Sequence, residues 1–153
     1  MHKLIKVCGM RDPENIRQLV QLHPDIIGLI FYLKSPRYVS RPETLKDSLA
    51  LKGDVKLAGV FVNERIERIL ELNRLLGFDY IQLHGNETSA LSDQLRKIQL
   101  KVIKAVAVSS ADDIKNTEKY QGHADYLLFD TQTKAYGGSG QKYDWSLLEN
   151  YAG

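Results

Sequence analysis

A single cysteine and a formal charge of only +2 leave this 153-residue sequence without two of the commonest functional signposts. One thiol cannot close an internal disulfide. With 21 basic residues against 19 acidic ones, there is no concentrated cationic excess of the kind that binding to a nucleic-acid backbone requires, so nucleic acid is not expected as a partner. No apolar run approaches the roughly 18 residues of a membrane-spanning helix. The opening Met1-His2-Lys3-Leu4-Ile5-Lys6 lacks the longer hydrophobic stretch and small-residue cleavage site of a signal peptide. These absences predict a soluble, cytoplasmic protein with no membrane partner. A G-x-G-x-x-G fingerprint is also missing: Cys8-Gly9-Met10-Arg11 stands after the first apolar segment, where a dinucleotide-binding sheet would carry it.

What is present is a regular alternation. With 43% hydrophobic residues the chain can bury a core, and its length suits one domain over residues 1–153. Short apolar segments rich in Val, Ile and Leu predict strands over Leu4–Val7, Ile26–Ile30, Leu57–Val62, Tyr80–Leu83, Val102–Val106 and Tyr126–Phe129. Helix starts are signalled between them by Asp12 before Pro13, Ser40 with Glu43, Asn63 before Glu64, Ser110 with Asp113, and Asp144 before Trp145. The clearest helix follows Asn63, with Ile66, Ile69, Leu70 and Leu76 on one stripe and Glu64, Arg65, Glu67 and Arg68 left to water. Strict alternation predicts a parallel α/β sheet, either an open doubly wound sheet or a closed barrel. The missing fingerprint favours the barrel.

In such a barrel, reactive groups come from the carboxyl ends of the strands. Those positions offer Cys8, then Lys34-Ser35-Pro36-Arg37-Tyr38, then His84-Gly85, then Asp130 with Gly137-Gly138-Ser139-Gly140 beyond it. Each has a plainer reading. Cysteine is a common inert core residue, although nearby amides or a cation can make it a thiolate base or nucleophile. Asp130 ends the apolar run Tyr126-Leu127-Leu128-Phe129, where a carboxylate is costly unless a site or a loop cap uses it. Arg37 can grip a carboxylate through two parallel hydrogen bonds or simply be solvated. His84 is a rim ligand or a histidine satisfied by backbone. The glycine stretch lacks the lysine of a P-loop and suits a mobile lid, which Tyr136 and Lys134 would accompany.

Five separated motifs in register carry a resemblance: Lys6-Val7-Cys8-Gly9-Met10-Arg11, Lys34-Ser35-Pro36-Arg37-Tyr38, Gly59-Val60-Phe61-Val62-Asn63, Gln82-Leu83-His84-Gly85, and Leu128-Phe129-Asp130-Thr131 leading into Gly137-Gly138-Ser139-Gly140. Together they resemble the phosphoribosylanthranilate isomerase family of tryptophan biosynthesis. The resemblance implies a TIM (β/α)8 barrel, of which this chain covers about the first six units. It implies an intramolecular aldose-ketose isomerase that carries out an Amadori rearrangement, with neither cofactor nor metal. N-(5-phosphoribosyl)anthranilate becomes 1-(2-carboxyphenylamino)-1-deoxyribulose 5-phosphate. By the same resemblance Asp130 is the general acid, Cys8 the general base, Arg37 the group that binds the anthranilate carboxylate, and His84 with Gln82 the lining of the anthranilate pocket.

Family members continue into a seventh and an eighth strand, whose loops hold the substrate phosphate. The chain given stops at Tyr151-Ala152-Gly153. Our expectation is therefore a chain that ends before its phosphate site, with little isomerase activity by itself and open strand edges through which it self-associates. Two alternatives stay open at this level: an inactive piece of the same barrel that only binds or self-associates, and another sugar-phosphate barrel enzyme that uses metal ligands or a lysine-glutamate set.

Overall fold

The β-branched and leucine-rich segments do form strands, and the order in which they pair chooses between the two sheet types. In a computed structural model of the protein, residues 3–131, 145–149 and 151 are described. Six strands, β1 (Lys6–Cys8), β2 (Ile26–Ile30), β3 (Lys56–Phe61), β4 (Tyr80–Leu83), β5 (Lys101–Val108) and β6 (Tyr126–Thr131), lie in the order β1-β2-β3-β4-β5-β6. Every pair is parallel. A doubly wound sheet reverses its strand order at a switch point, whereas a barrel adds each strand beside the last. The unbroken order is that of six successive units of a (β/α)8 barrel. Helices α1 (Pro13–Val20), α2 (Lys46–Ala50), α3 (Ile66–Leu76), α4 (Ser89–Lys97) and α5 (Ala111–Lys115) fill the connections. No helix among the described residues is long and apolar enough to cross a membrane.

Alternate strand residues point to opposite faces, and the burial follows. Ile27, Leu29, Leu57, Ile81, Leu83 and Val102 pack with Ile16, Ile69, Leu72 and Leu95 of the helices in one cluster. Ile26, Ala58, Tyr80 and Ile103 form a second, smaller cluster with Leu128 against it. The first is the layer between sheet and helices, and the second is the inner layer of the barrel.

Register is set by a device used three times. Asp25, Asp79 and Asp125 each stand immediately before β2, β4 and β6, and each carboxylate accepts a hydrogen bond from a backbone amide of the preceding strand segment. The donors are Ile5 N at 2.7 Å, Leu57 N at 2.8 Å and Val102 N at 2.8 Å. Because the side-chain period is two, a slip of one residue would exchange the inner and outer faces. The three clamps level the strands so that their carboxyl ends form one rim.

Several local expectations need correcting. The first strand is Lys6–Cys8 rather than Leu4–Val7, since the amide of Ile5 is taken by Asp25. Asp130 falls inside β6 rather than after it, opposite Ala107. Asn63 does not cap a helix: α3 starts at Ile66 after Arg65. Asn63 takes a left-handed φ of 51°, and its Oδ1 accepts instead from Asn86 N at 2.7 Å. Ser40 and Glu43 make no capping box, because a 3-10 turn over Pro42–Leu45 begins at proline one residue later, with no side-chain cap. Asp12 does cap α1, accepting from Asn15 N, and Asp113 accepts from Ser110 N before α5. Asp144, Lys134, Tyr136 and Gly137–Gly140 lie outside the described residues.

Behind the rim is an ion pair that the apolar periodicity concealed. Lys104, in the middle of β5, is 2% exposed. Its ammonium donates to Leu83 O at 3.2 Å, Gly85 O at 2.6 Å and Glu87 Oε2 at 3.0 Å, which commits all three protons. Glu87 Oε1 accepts from the amides of Asn63 at 2.8 Å and Gly85 at 3.0 Å. Burial pushes the Lys104 pKa down and the Glu87 carboxylate opposes that shift. The pair ties the loops after β3 and β4 to β5. Removing one partner of a buried pair strands the other charge, so Lys104→Met should lower unfolding free energy by about 3–5 kcal/mol. The double change Lys104→Met with Glu87→Gln should cost less than the single one. Urea denaturation reads both, and a single-variant loss below about 1 kcal/mol would contradict the structural role given to the pair.

Candidate active site

The carboxyl end of β1 delivers Cys8 directly opposite Gly28 of β2. A Cβ at position 28 would lie 2.8 Å from Cys8 Sγ and 3.0 Å from Lys6 Nζ, so glycine lets the thiol lie against the neighbouring strand without a shift. Gly9, with φ of 90°, plays the same part for Arg37: a Cβ there would lie 2.5 Å from Arg37 Cδ. The chain after β2 turns at Ser35-Pro36 and returns along the strand through a bridge between Ile30 and Tyr38. That return brings Arg37 over the rim, where its Nη1 donates to Cys8 O at 3.1 Å.

From β4 come Gln82, 2% exposed, and His84, the first residue past the strand. Cys8, Arg37, Gln82 and His84 line one cavity, with Ile30 and Val60 supplying apolar wall. Asp130 does not line that cavity but is joined to it: His84 Nε2 stands 3.2 Å from Asp130 Oδ2, and Gln82 Nε2 stands 2.8 Å from His84 Nδ1. The other Asp130 oxygen accepts from Thr131 N at 2.9 Å. The five residues to which the resemblance gives site roles are therefore brought to one end of the sheet.

His84 bridges the Gln82 amide and the Asp130 carboxyl group, and which ring nitrogen carries its proton follows the protonation state of Asp130. Burial pushes the His84 pKa below its ordinary value, outweighing the opposite pull of Asp130. The imidazole is thus held between an amide and a carboxyl group. A thiol, a carboxyl, an imidazole and a guanidinium on one rim suit proton transfer at a small, anionic substrate.

Sequence reading missed Gly28, Gly9, Lys104 and Glu87. Two signals were available: a glycine inside the apolar strand Ile26-Ile27-Gly28-Leu29-Ile30, which marks close approach, and a lysine inside the apolar run Val102-Ile103-Lys104-Ala105-Val106, which is costly unless paired.

Comparisons with known proteins agree with this geometry. Residues 5–153 match the family model described as N-(5'phosphoribosyl)anthranilate (PRA) isomerase. A curated protein of Parabacteroides distasonis named N-(5'-phosphoribosyl)anthranilate isomerase is 44% identical over 153 residues, which cover 98% of this chain and 68% of that protein. The crystal structure of phosphoribosyl anthranilate isomerase from Thermotoga maritima is similar with a TM-score of 0.85 at 37% identity, covering 96% of this chain and 70% of that one. A further structure of such an isomerase, in complex with reduced 1-(o-carboxyphenylamino)-1-deoxyribulose 5-phosphate, aligns with a TM-score of 0.80 at 33% identity, over 96% of this chain and 69% of that one.

The depressed His84 value has a stability consequence. Between that lowered value and the ordinary 6.5, the unfolded chain binds a proton that the folded chain does not, so stability rises with pH across this window. The contribution is complete above about 6.5 and is lost as pH falls through the folded value. Urea midpoints taken from pH 7.5 down to 5 should therefore decline, and His84→Gln should flatten the decline. An identical slope in both proteins would show that His84 is not its source.

Proposed function

This chain belongs to the N-(5'-phosphoribosyl)anthranilate isomerase family of tryptophan biosynthesis, and on that premise we propose how its residues divide the rearrangement of the aminoaldose N-(5-phosphoribosyl)anthranilate into its aminoketose. The observation that carries the reading is the convergence of Cys8, Arg37, Gln82 and His84 on one cavity, with Asp130 linked to it through His84. Arg37 binds the anthranilate carboxylate through its planar fork of donors. Asp130 gives a proton to the ring oxygen of the sugar as the C1–O bond breaks and the nitrogen lone pair forms the C1=N bond of an iminium. The positive charge acidifies the proton on C2. Cys8, as thiolate, removes that proton, and the released electron pair forms C1=C2 while the C=N electrons return to nitrogen. Transfer of the O2 proton to the enzyme, and of a proton to C1, then gives the ketone and restores both groups.

The alternative lysine-glutamate chemistry of other sugar-phosphate barrels fits less well. Lys104 and Glu87 are such a pair, yet the Lys104 protons are committed to Leu83, Gly85 and Glu87 and neither residue lines the cavity. A cytoplasmic location suits a charged phosphate ester as substrate. We also propose that a polypeptide of these 153 residues self-associates through β1 and β6, each of which has one hydrogen-bonded strand neighbour among the described residues. Size-exclusion chromatography checks this, and a strictly monomeric profile at high concentration would count against it.

Turnover of the aminoaldose tests the assignment, from the low starting rate expected of these 153 residues by themselves. Relative to the starting rate, Cys8→Ala and Asp130→Asn should each lower kcat by about 10²–10⁴-fold. Arg37→Ala should act chiefly on KM, by roughly 10- to 100-fold. A rate indifferent to both Cys8→Ala and Asp130→Asn would overturn the roles given to them.

A further inference from the structure

Arg11 does not line the cavity, yet its guanidinium reaches 25 positions along the chain to the segment that carries Arg37, where Nη1 donates to Pro36 O at 2.5 Å. Exposed arginines are ordinarily solvated, so the choice of this carbonyl calls for a reason. Ser35 to Tyr38 form a turn closed by Tyr38 N on Ser35 O at 3.1 Å, which makes Pro36–Arg37 its central peptide. The closing bond of a turn uses neither polar atom of that peptide, and the common turn types differ in which way it faces. Here a side chain holds each atom: Arg11 takes the carbonyl, and Ser35 Oγ accepts from Arg37 N at 3.2 Å. The base of Arg11 is fixed in its turn, because the amides of Gly9 and Met10 both donate to Gly28 O, at 2.9 and 3.1 Å. With Arg37 Nη1 on Cys8 O, the segments after β1 and β2 exchange arginines, each guanidinium holding a carbonyl of the other segment.

We infer that Arg11 is a positioning residue for Arg37: by holding Pro36 O it stops the central peptide from turning over, and so keeps the Arg37 guanidinium aimed at the anthranilate carboxylate. The inference rests on the isomerase reading, and within it on the carboxylate role of Arg37. Two parallel hydrogen bonds to a carboxylate demand a set direction of approach. Rotation of the Pro36–Arg37 peptide changes φ of Arg37, and with it the direction in which the side chain leaves the backbone. A guanidinium already pointing the right way loses less freedom when the ligand arrives. Arg11 is itself exposed, so its replacement leaves the core and the cavity wall in place.

Calorimetry with two probes tests this: reduced 1-(2-carboxyphenylamino)-1-deoxyribulose 5-phosphate, and its counterpart lacking the ring carboxylate. Each is titrated into the full chain, Arg11→Met, Arg37→Ala and the double variant. Arg11→Met should weaken binding of the first probe by about 3- to 10-fold and leave the second within about twofold. In the Arg37→Ala background the same change should alter neither probe by more than about twofold, since the group being positioned is gone. A loss shared by both probes marks a general attraction between a cation and an anionic ligand, and overturns the inference. So does undiminished binding of the first probe to Arg11→Met, or a loss that persists in the Arg37→Ala background. In those outcomes a preference of the unsubstituted chain for the first probe, removed by Arg37→Ala, leaves the isomerase reading standing. A chain that binds neither probe, or an Arg37→Ala variant that still prefers the first, fails that reading and takes the inference with it.

Discussion

Everything at the rim depends on strand register, and register is held by carboxylates that meet backbone amides. Asp25, Asp79 and Asp125 each enter an even-numbered strand with one oxygen on an amide of the strand segment before it. A hydrogen bond from a backbone amide to a charged acceptor is directional and strong for its kind, and it acts at the end of the sheet where the helix-to-strand loops arrive. With the strands levelled there, Cys8, Gln82, His84 and Asp130 reach the opposite end on the inner face. Shifted by one residue, the same side chains would face the helices.

A second polar layer then stiffens the rim itself. Loops after parallel strands have free amides and carbonyls, and water would ordinarily satisfy them. Lys104 and Glu87 take that role from inside: the lysine collects carbonyls of Leu83 and Gly85, and the glutamate collects amides of Asn63 and Gly85. The loop that carries His84 is thereby held from both sides by groups with no freedom to move apart. Clearance completes the arrangement. Gly28 and Gly9 are empty where a methyl group would meet the thiol of Cys8 or the stem of Arg37.

Much of this was legible in the residues. Six apolar segments and their spacing announced the strands, and β2 and β4 fell on the expected limits. Asp12 and the Ser110–Asp113 pair worked as helix starts because nothing else competed for those side chains. Asn63 failed as a start for the opposite reason: the loop after β4 offered its Oδ1 a better partner, at Asn86. The five motifs that carried the resemblance contained all five residues proposed for the site, and four of them, Cys8, Gln82, His84 and Asp130, lie in or just past the carboxyl end of a strand, where sequence order and rim position coincide.

The sequence by itself therefore determined the elements, the parallel alternation, the family and the identity of the rim residues, because those depend on local periodicity and on motifs read along the chain. Only the tertiary structure decided which residues share a hydrogen bond. His84 and Asp130 are 46 positions apart, and Cys8 and Arg37 are 29 apart. No local pattern says that an imidazole will sit between an amide and a carboxylate, or that a glycine on one strand exists to admit a thiol on another. Those facts belong to the sheet, which turns distance along the chain into contact across it.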